Sequence, residues 1–273
     1  MRVLGIESSS LVASVALVTD DILTAEYTVD FKKTHSQTLL PMLDEIAKLL
    51  ELDMDTIDAI AVAGGPGSFT GLRIGAATAK GLGLALKKPL IHVPTLDAMA
   101  YNMWGASGLV CPIMDARRSQ VYTGLYRVEN GLEVLMEQCP MDMRELAGRL
   151  NARGERIIFL GDGVPVYKSI IEEEMQVPYA FAPAQMNRQR ASCVAALGMT
   201  ALTQTRQEDG GQLSQGPDIR MQPAGHRPAP YQGARLVSAA DFTPDYLRKP
   251  QAERQREAEN SVHGAALKLP GDY

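Results

Sequence analysis

One succession of elements occurs twice along this chain, and it constrains the fold more than any single motif does. In the first half, residues 2–7, 12–19 and 22–29 are rich in Val, Ile, Leu and Tyr and bounded by turn residues. That pattern predicts three strands, the last two joined at Asp20-Asp21. A helix is predicted over 36–50, where Leu39, Leu43, Ile46 and Leu50 share one stripe. A short buried strand follows at 59–63, then a glycine-rich loop at 64–70, a helix at 71–86, a strand at 90–93 and a helix from Thr95. In the second half, 109–115, 120–128 and 132–138 read as three strands, with Asn130-Gly131 as the hairpin signal between the last two. A helix at 142–150, a strand at 156–160 ending in Gly161-Asp162-Gly163, a helix at 164–174 and a long one at 191–203 complete the second copy.

The halves also agree in detail. The first strand of each ends in an acid with serine soon after: Glu7-Ser8-Ser9, and Asp115 with Ser119. A later strand in each ends in a glycine turn that opens a helix. Two copies of such an α/β unit are the architecture of the actin-like ATPase (ASKHA) fold, two ribonuclease-H-like lobes facing a cleft. Fold analogy of this kind assigns no function by itself. The predicted division is a first lobe over 1–104 and a second over 105–204. A flexible insertion over 205–240 is read from its Pro and Gly content without apolar period, and a C-terminal segment from 241–273, with a charged helical stub at 251–259.

A chain of 273 residues is long enough to give both lobes a core. Its net charge of -5 offers no basic face, so it is not expected to grip nucleic acid by itself. Cys111, Cys139 and Cys193 match no zinc or disulfide framework and read as core thiols. The opening Met-Arg-Val-Leu-Gly-Ile-Glu reaches an acid too early for a signal peptide, and no apolar run has the length of a membrane span. A cytoplasmic protein is expected. His35, His92, His226 and His263 show no ligand spacing, and no nucleophile elbow is present, so neither a metal nor a catalytic residue is expected.

Loop 64–70 opens a helix, where free N–H groups and the helix dipole favour an anion. It lacks the lysine and Ser/Thr of a P-loop, and a tight strand-to-helix turn is the better reading. Gly65 and Gly67 are its candidate ligand residues, together with Glu7, Ser8, Ser9 and Asp115 at the strand ends. Glu7 stands where actin-like proteins usually place an aspartate that organises metal and nucleotide; alternatively, the serines simply close the turn. The helix at 71–86 carries only Arg73 and Lys80 as charges, while Gly71, Gly75, Ala79 and Gly83 line one side. So apolar a helix must be covered on most of its circumference, by an internal layer or by a partner, and the partner is the favoured reading. The contact residues predicted from the first helix are Leu39, Met42, Leu43 and Ile46. From the second they are Leu72, Arg73, Gly75, Ala76, Ala79, Lys80 and Gly83.

Several stretches together resemble one family. They are Gly5-Ile6-Glu7-Ser8-Ser9, His35-Ser36-Gln37-Thr38-Leu39-Leu40-Pro41, and above all Gly64-Gly65-Pro66-Gly67-Ser68-Phe69-Thr70-Gly71-Leu72-Arg73-Ile74-Gly75. Met114-Asp115-Ala116-Arg117-Arg118 with Val121-Tyr122, and Pro244-Asp245-Tyr246-Leu247-Arg248, fit as well. The chain is identified as a member of the TsaB (YeaZ) family, with the match covering 1–204 and 241–250. The resemblance implies a subunit of the bacterial machinery that places threonylcarbamoyl on the adenosine beside the anticodon. It implies a direct heterodimer with TsaD, the catalytic paralogue, in a complex with the ATPase TsaE, while TsaC supplies threonylcarbamoyl-adenylate. A homodimer of the chain alone is left open, as is weak nucleotide binding; tRNA is met only through the complex, and ATP and metal sit in partner subunits. In the paralogue, a His-x-x-x-His pair that binds metal follows the strand corresponding to 90–93; this chain has Thr95 and Met99 there. The resemblance therefore implies a non-catalytic subunit whose first two helices pack against those of TsaD as a four-helix arrangement. Family members have been classed with the M22 peptidases, but no protease constellation exists here. The rival readings are an autonomous actin-like-fold ATPase or sugar-kinase-like enzyme, and a metallopeptidase.

Overall fold

Strand β1 (Arg2–Glu7) pairs antiparallel with β2 (Val12–Thr19) and parallel with β4 (Ala59–Ala63), so it runs mid-sheet with both faces covered. Near-continuous Val, Leu, Ile and Ala in β1 and β4 suits that position, since neither face meets water. β3 (Ile22–Asp30) flanks β2, and β5 (Leu90–Val93) flanks β4. The computed structural model describes residues 1–31, 34–208 and 231–247.

The second sheet contains β6 (Leu109–Asp115), β7 (Gln120–Arg127), β8 (Glu133–Asp142), β9 (Ile157–Leu160) and β10 (Tyr179–Phe181). Its order, β10-β9-β6-β7-β8, matches β5-β4-β1-β2-β3 position by position, with the same parallel and antiparallel pairings. The duplicated, actin-like α/β architecture expected from the sequence is therefore present. β8 runs past its expected end through Pro140, which an edge strand tolerates because it need not donate outward. β10 was not foreseen, because three residues are too few to show a period.

Helices α1 (His35–Leu49) and α2 (Phe69–Leu86) cover the outer face of the first sheet, as α4 (Met143–Arg153) and α5 (Val164–Glu174) cover that of the second. The remaining two helices are exchanged. α3 (Thr95–Tyr101) follows a first-lobe strand but packs on β6 and β7. α6 (Ala191–Glu208) follows a second-lobe strand but lies across β1, β2, β4 and β5. Leu96, Met99, Val194 and Leu197 thereby join residues of both sheets in one inter-lobe core, while each outer layer keeps its own. The expected second lobe over 105–204 is thus cut differently in space. Periodicity shows that α6 is buried, not on which sheet it lies.

Residues 231–247 return to the first lobe. β11 (Arg235–Val237) adds antiparallel to the edge strand β5, and Tyr231, Ala239 and Phe242 are buried. The insertion expected over 205–240 is corrected at both described ends: 205–208 complete α6, and 231–240 are built into the first lobe. Residues 209–230 and the stub expected at 251–259 lie outside the described residues.

Candidate functional site

The β1–β2 turn and loop 64–70 meet backbone to backbone. Ser68 N donates to Ser9 O at 2.6 Å, and Ser8 Oγ donates to Gly71 O at 2.9 Å. A Cβ on Gly67 would stand 2.4 Å from Ser9 O, so only glycine permits this approach. Gly65 adopts φ +116°, and a Cβ there would lie 2.3 Å from Asp245 O. Several donors here are taken within the chain: Gly64 N by Val93 O at 2.8 Å, Gly65 N by Thr95 Oγ1 at 3.1 Å, and Gly71 N by the N-capping Ser68 Oγ at 3.3 Å. An anion cradle needs such groups free. Gly67 thus belongs to a tight turn packed on Ser9 and Gly65 to one packed on Asp245, as the turn reading of this loop expects.

Glu7, at the end of β1, and Asp162, after β9, are acids from the two sheets that come close enough to interact. Glu7 is buried, and burial pushes its carboxyl up to about 7; the hydrogen bond from Ser9 N to Oε1, 2.6 Å, pulls the other way. Nearby Asp162, after β9, raises it further. Burial likewise brings Asp162 up to about 6, against the lowering influence of Arg188. Glu7 Oε2, Ser9 Oγ and Asp162 Oδ1 are buried and find no hydrogen-bond partner among the described residues. Glu7 is thus part protonated near neutral pH and Asp162 below about 6, so the pair offers both donor and acceptor atoms. Asp115 lies close enough to Asp162 to raise it as well, yet it is held within its own lobe. Its Oδ1 accepts from Arg117 N at 2.8 Å and from Tyr167 OH at 2.9 Å, and the Arg117 guanidinium lies 3.3 Å from Oδ2. Asp162 stands beside both Glu7 and Asp115, and its only sequence signal was the glycine turn around it.

Among the described residues, no three His, Cys, Asp or Glu side chains converge as a metal site. Thr95 and Met99 are both buried. Thr95 accepts from the loop at Gly65, and Met99 fills the inter-lobe core. His35 binds Val12 O through Nε2 at 3.0 Å, and buried His92 lies 3.1 Å from Asp245 Oδ2.

The predicted contact residues are placed mostly elsewhere. Leu39, Met42, Leu43, Ile46, Ala76 and Ala79 form the first lobe's own outer core, and Leu72 is buried as well. A Cβ on Gly75 would stand 2.2 Å from Ser8 Oγ, and one on Gly83 2.9 Å from Leu90 Cδ2. The small-residue stripe of α2 therefore serves close packing on its own lobe. Lys80 Nζ donates to Phe242 O at 3.2 Å, and of all the named residues only Arg73 is exposed. The sequence error is intelligible: periodicity marks an apolar stripe, and the stripe facing a helix's own sheet gives the same signal as one facing a partner. What does face outward on α2 is a second, largely apolar side of Ala77, Gly81, Leu84, which is 62% exposed, and Ala85, with Thr70 and Arg73; α1 adds Leu40, 52% exposed, beside polar Gln37, Asp44, Glu45 and Lys48.

No helix among the described residues is long and apolar enough to cross a membrane. A family model described as TsaD, tRNA N6-adenosine threonylcarbamoyltransferase, matches residues 29–221. The tRNA threonylcarbamoyladenosine biosynthesis protein TsaB of Bacillus subtilis is 35% identical over 200 residues, which cover 72% of this chain and 87% of that protein. The protein of the same name from Escherichia coli is 39% identical over 135 residues, 48% of this chain and 58% of the other. YeaZ from Pseudomonas aeruginosa superposes with a TM-score of 0.67 at 24% identity, over 90% of this chain and 99% of that one, which shows the shared fold. With the two-lobed fold, the loop 64–75 and a relative matched over most of its length, the chain belongs to the TsaB (YeaZ) family of tRNA threonylcarbamoyladenosine biosynthesis proteins.

Proposed function

We propose that this chain is a non-catalytic subunit that docks and supports TsaD while TsaD transfers threonylcarbamoyl to the adenosine beside the anticodon. The observation that carries this reading is the fate of Thr95 and Met99. At the positions where the resemblance puts the paralogue's metal-binding histidines, this chain uses one side chain to hold a loop and the other to fill a core. Neither supplies an imidazole to a metal. The docking surface in this reading is the outward side of α1 and α2, around Leu40, Ala77 and Leu84, an apolar side that favours being covered. TsaE joins the assembly, tRNA is contacted through it, and the isolated chain uses the same face to pair with itself. ATP and metal reside in the partner subunits, and the donors of Gly64, Gly65 and Ser68, already taken within the chain, support at most weak nucleotide binding here.

The deciding experiment is reconstitution. Affinity-tagged full-length chain should co-purify with the cell's own TsaD. Purified alone with tRNA and threonylcarbamoyl-adenylate, it should leave the tRNA unmodified, and product formed by this subunit alone sinks the non-catalytic reading. Titration with ATP separates it from an autonomous ATPase, which would bind tightly and turn over without TsaD.

A further inference from the structure

Residues 231–247 lie beyond the stretch matched by the TsaD model, and they run beside α2. Asp245 N donates to Gly64 O at 2.6 Å, and the Tyr246 ring packs 4.9 Å from that of Phe69. Phe69, the first residue of α2, carries the Arg73 guanidinium over its ring at 5.0 Å. A chain of contacts thus leads from the C-terminal segment, through two rings, to a cation on the outward side of α2. Among the described residues no carboxylate forms an ion pair with Arg73.

We propose that Tyr246 is a positioning residue: through Phe69 it holds the Arg73 guanidinium ready to meet a carboxylate of the docked protein partner. The proposal rests on the docking reading above and deepens it. Arg73 is the one charge on a side it shares with Thr70, Ala77, Gly81 and Leu84. Once that side is covered, the guanidinium loses water, and a desolvated charge requires a counter-charge. A free arginine side chain has about 2 kcal/mol of rotamer entropy to lose. Stacking over Phe69 removes part of that freedom before docking, which favours association. A phosphate of nucleic acid is the weaker match, because one cation among apolar neighbours on a chain of net charge -5 is not the basic patch that phosphate contacts need.

The test is a double-mutant cycle on the full-length chain, with TsaD affinity measured by calorimetry at low and high NaCl. Arg73→Gln and Tyr246→Leu should each weaken binding about three- to tenfold. The double variant should bind no worse than Arg73→Gln alone, Arg73→Gln should flatten the salt dependence, and Tyr246→Phe should keep full affinity. Additive losses, or a Tyr246→Leu loss that follows melting temperature and leaves the salt dependence intact, overturn the proposal. So does an Arg73→Gln variant that loses tRNA but not TsaD. Positioning is also readable without any partner: in the free chain the Arg73 Nε–H resonance should carry a ring-current shift that Tyr246→Leu moves. An unmoved resonance overturns the positioning role. A wild-type chain that fails to bind TsaD, with the resonance moving as expected, instead removes the docking reading and the carboxylate with it.

Discussion

The outward sides of the two lobes are built on the same pair of helices yet differ in what they show to solvent. On the second lobe, α4 and α5 carry charge pairs: Arg144 with Glu173 and Glu174, Arg149 with Glu145, and Lys168 with Glu172. On the first lobe, α1 keeps one such pair, Lys48 with Asp44, and α2 has none. There α2 exposes Ala77, Gly81, Leu84 and Ala85 with Arg73 as its one exposed charge, and α1 sets Leu40 and Leu49 among Gln37, Asp44, Glu45 and Lys48. Such surface pairs contribute little to stability, so they are best read as marks of a face that stays wet. The duplicated backbone fixes the inner stripe of each helix pair, and the outer side is free to record its environment. That difference assigns the proposed docking to the first lobe.

The comparison breaks most visibly with a charge placed on each outer side. Leu84→Glu on α2 should weaken TsaD binding about a hundredfold or more, because docking would bury an unpaired carboxylate. Val166→Glu, on exposed α5, should leave affinity unchanged. Pull-down and calorimetry on both variants decide it, and the opposite ranking would move the docking surface to the second lobe.

Gly75→Leu tests the inner stripe. With Ser8 Oγ 2.2 Å from where a Cβ would stand, overpacking should cost about 3 kcal/mol. The melting temperature should then fall by roughly 6–12 °C. A variant that melts like wild type but no longer binds TsaD would restore Gly75 to the interface.

Much of this fold was legible because its signals are local. The three-strand run, the buried strand and the glycine turn recur, so the duplicated topology followed from residue order alone. The exchange of α3 and α6 was not legible, since a buried helix such as 191–208 carries no mark of the sheet it will cover. The strand at 235–237 was hidden because three residues beside a Pro- and Gly-rich stretch show no period. Within the site, Glu7 and Asp115 were found because they end equivalent strands, whereas Asp162 was missed, since only three-dimensional packing brings it toward both.

The cleft gives a pH prediction of intermediate size. The Glu7 carboxyl sits at about 7 in the folded chain against an ordinary 4.5, so the folded state holds the proton more tightly. Its stabilising contribution is fully present below about 4.5 and is lost as pH rises through 7. Asp162, raised from 3.8 to about 6, acts with the same sign. Glu7→Gln keeps the acceptor for Ser9 N but cannot ionise. Relative to wild type it should gain about 2 kcal/mol between pH 5 and pH 8, read as the difference of two melting curves at each pH. A constant difference across that range would mean that Glu7 ionises freely in the folded protein.

The smallest effect belongs to the charged side of the second lobe. Arg144 faces Glu173 at 3.1 Å and also Glu174, and its side chain is 54% exposed. In water each partner recovers hydration when the other is removed, and holding long side chains in one geometry costs rotamer entropy. Arg144→Ala should therefore cost less than about 1 kcal/mol, a change of roughly 2–4 °C at most in melting temperature. Raising the salt concentration should shrink the difference further, because exposed charges are screened over about 8–10 Å at physiological ionic strength. TsaD affinity should not move, since a face that stays wet makes no contact. If Arg144→Ala weakens TsaD binding tenfold while melting normally, the charge pairs mark a polar docking surface, and the contrast between the two lobes loses its meaning as a guide to the partner.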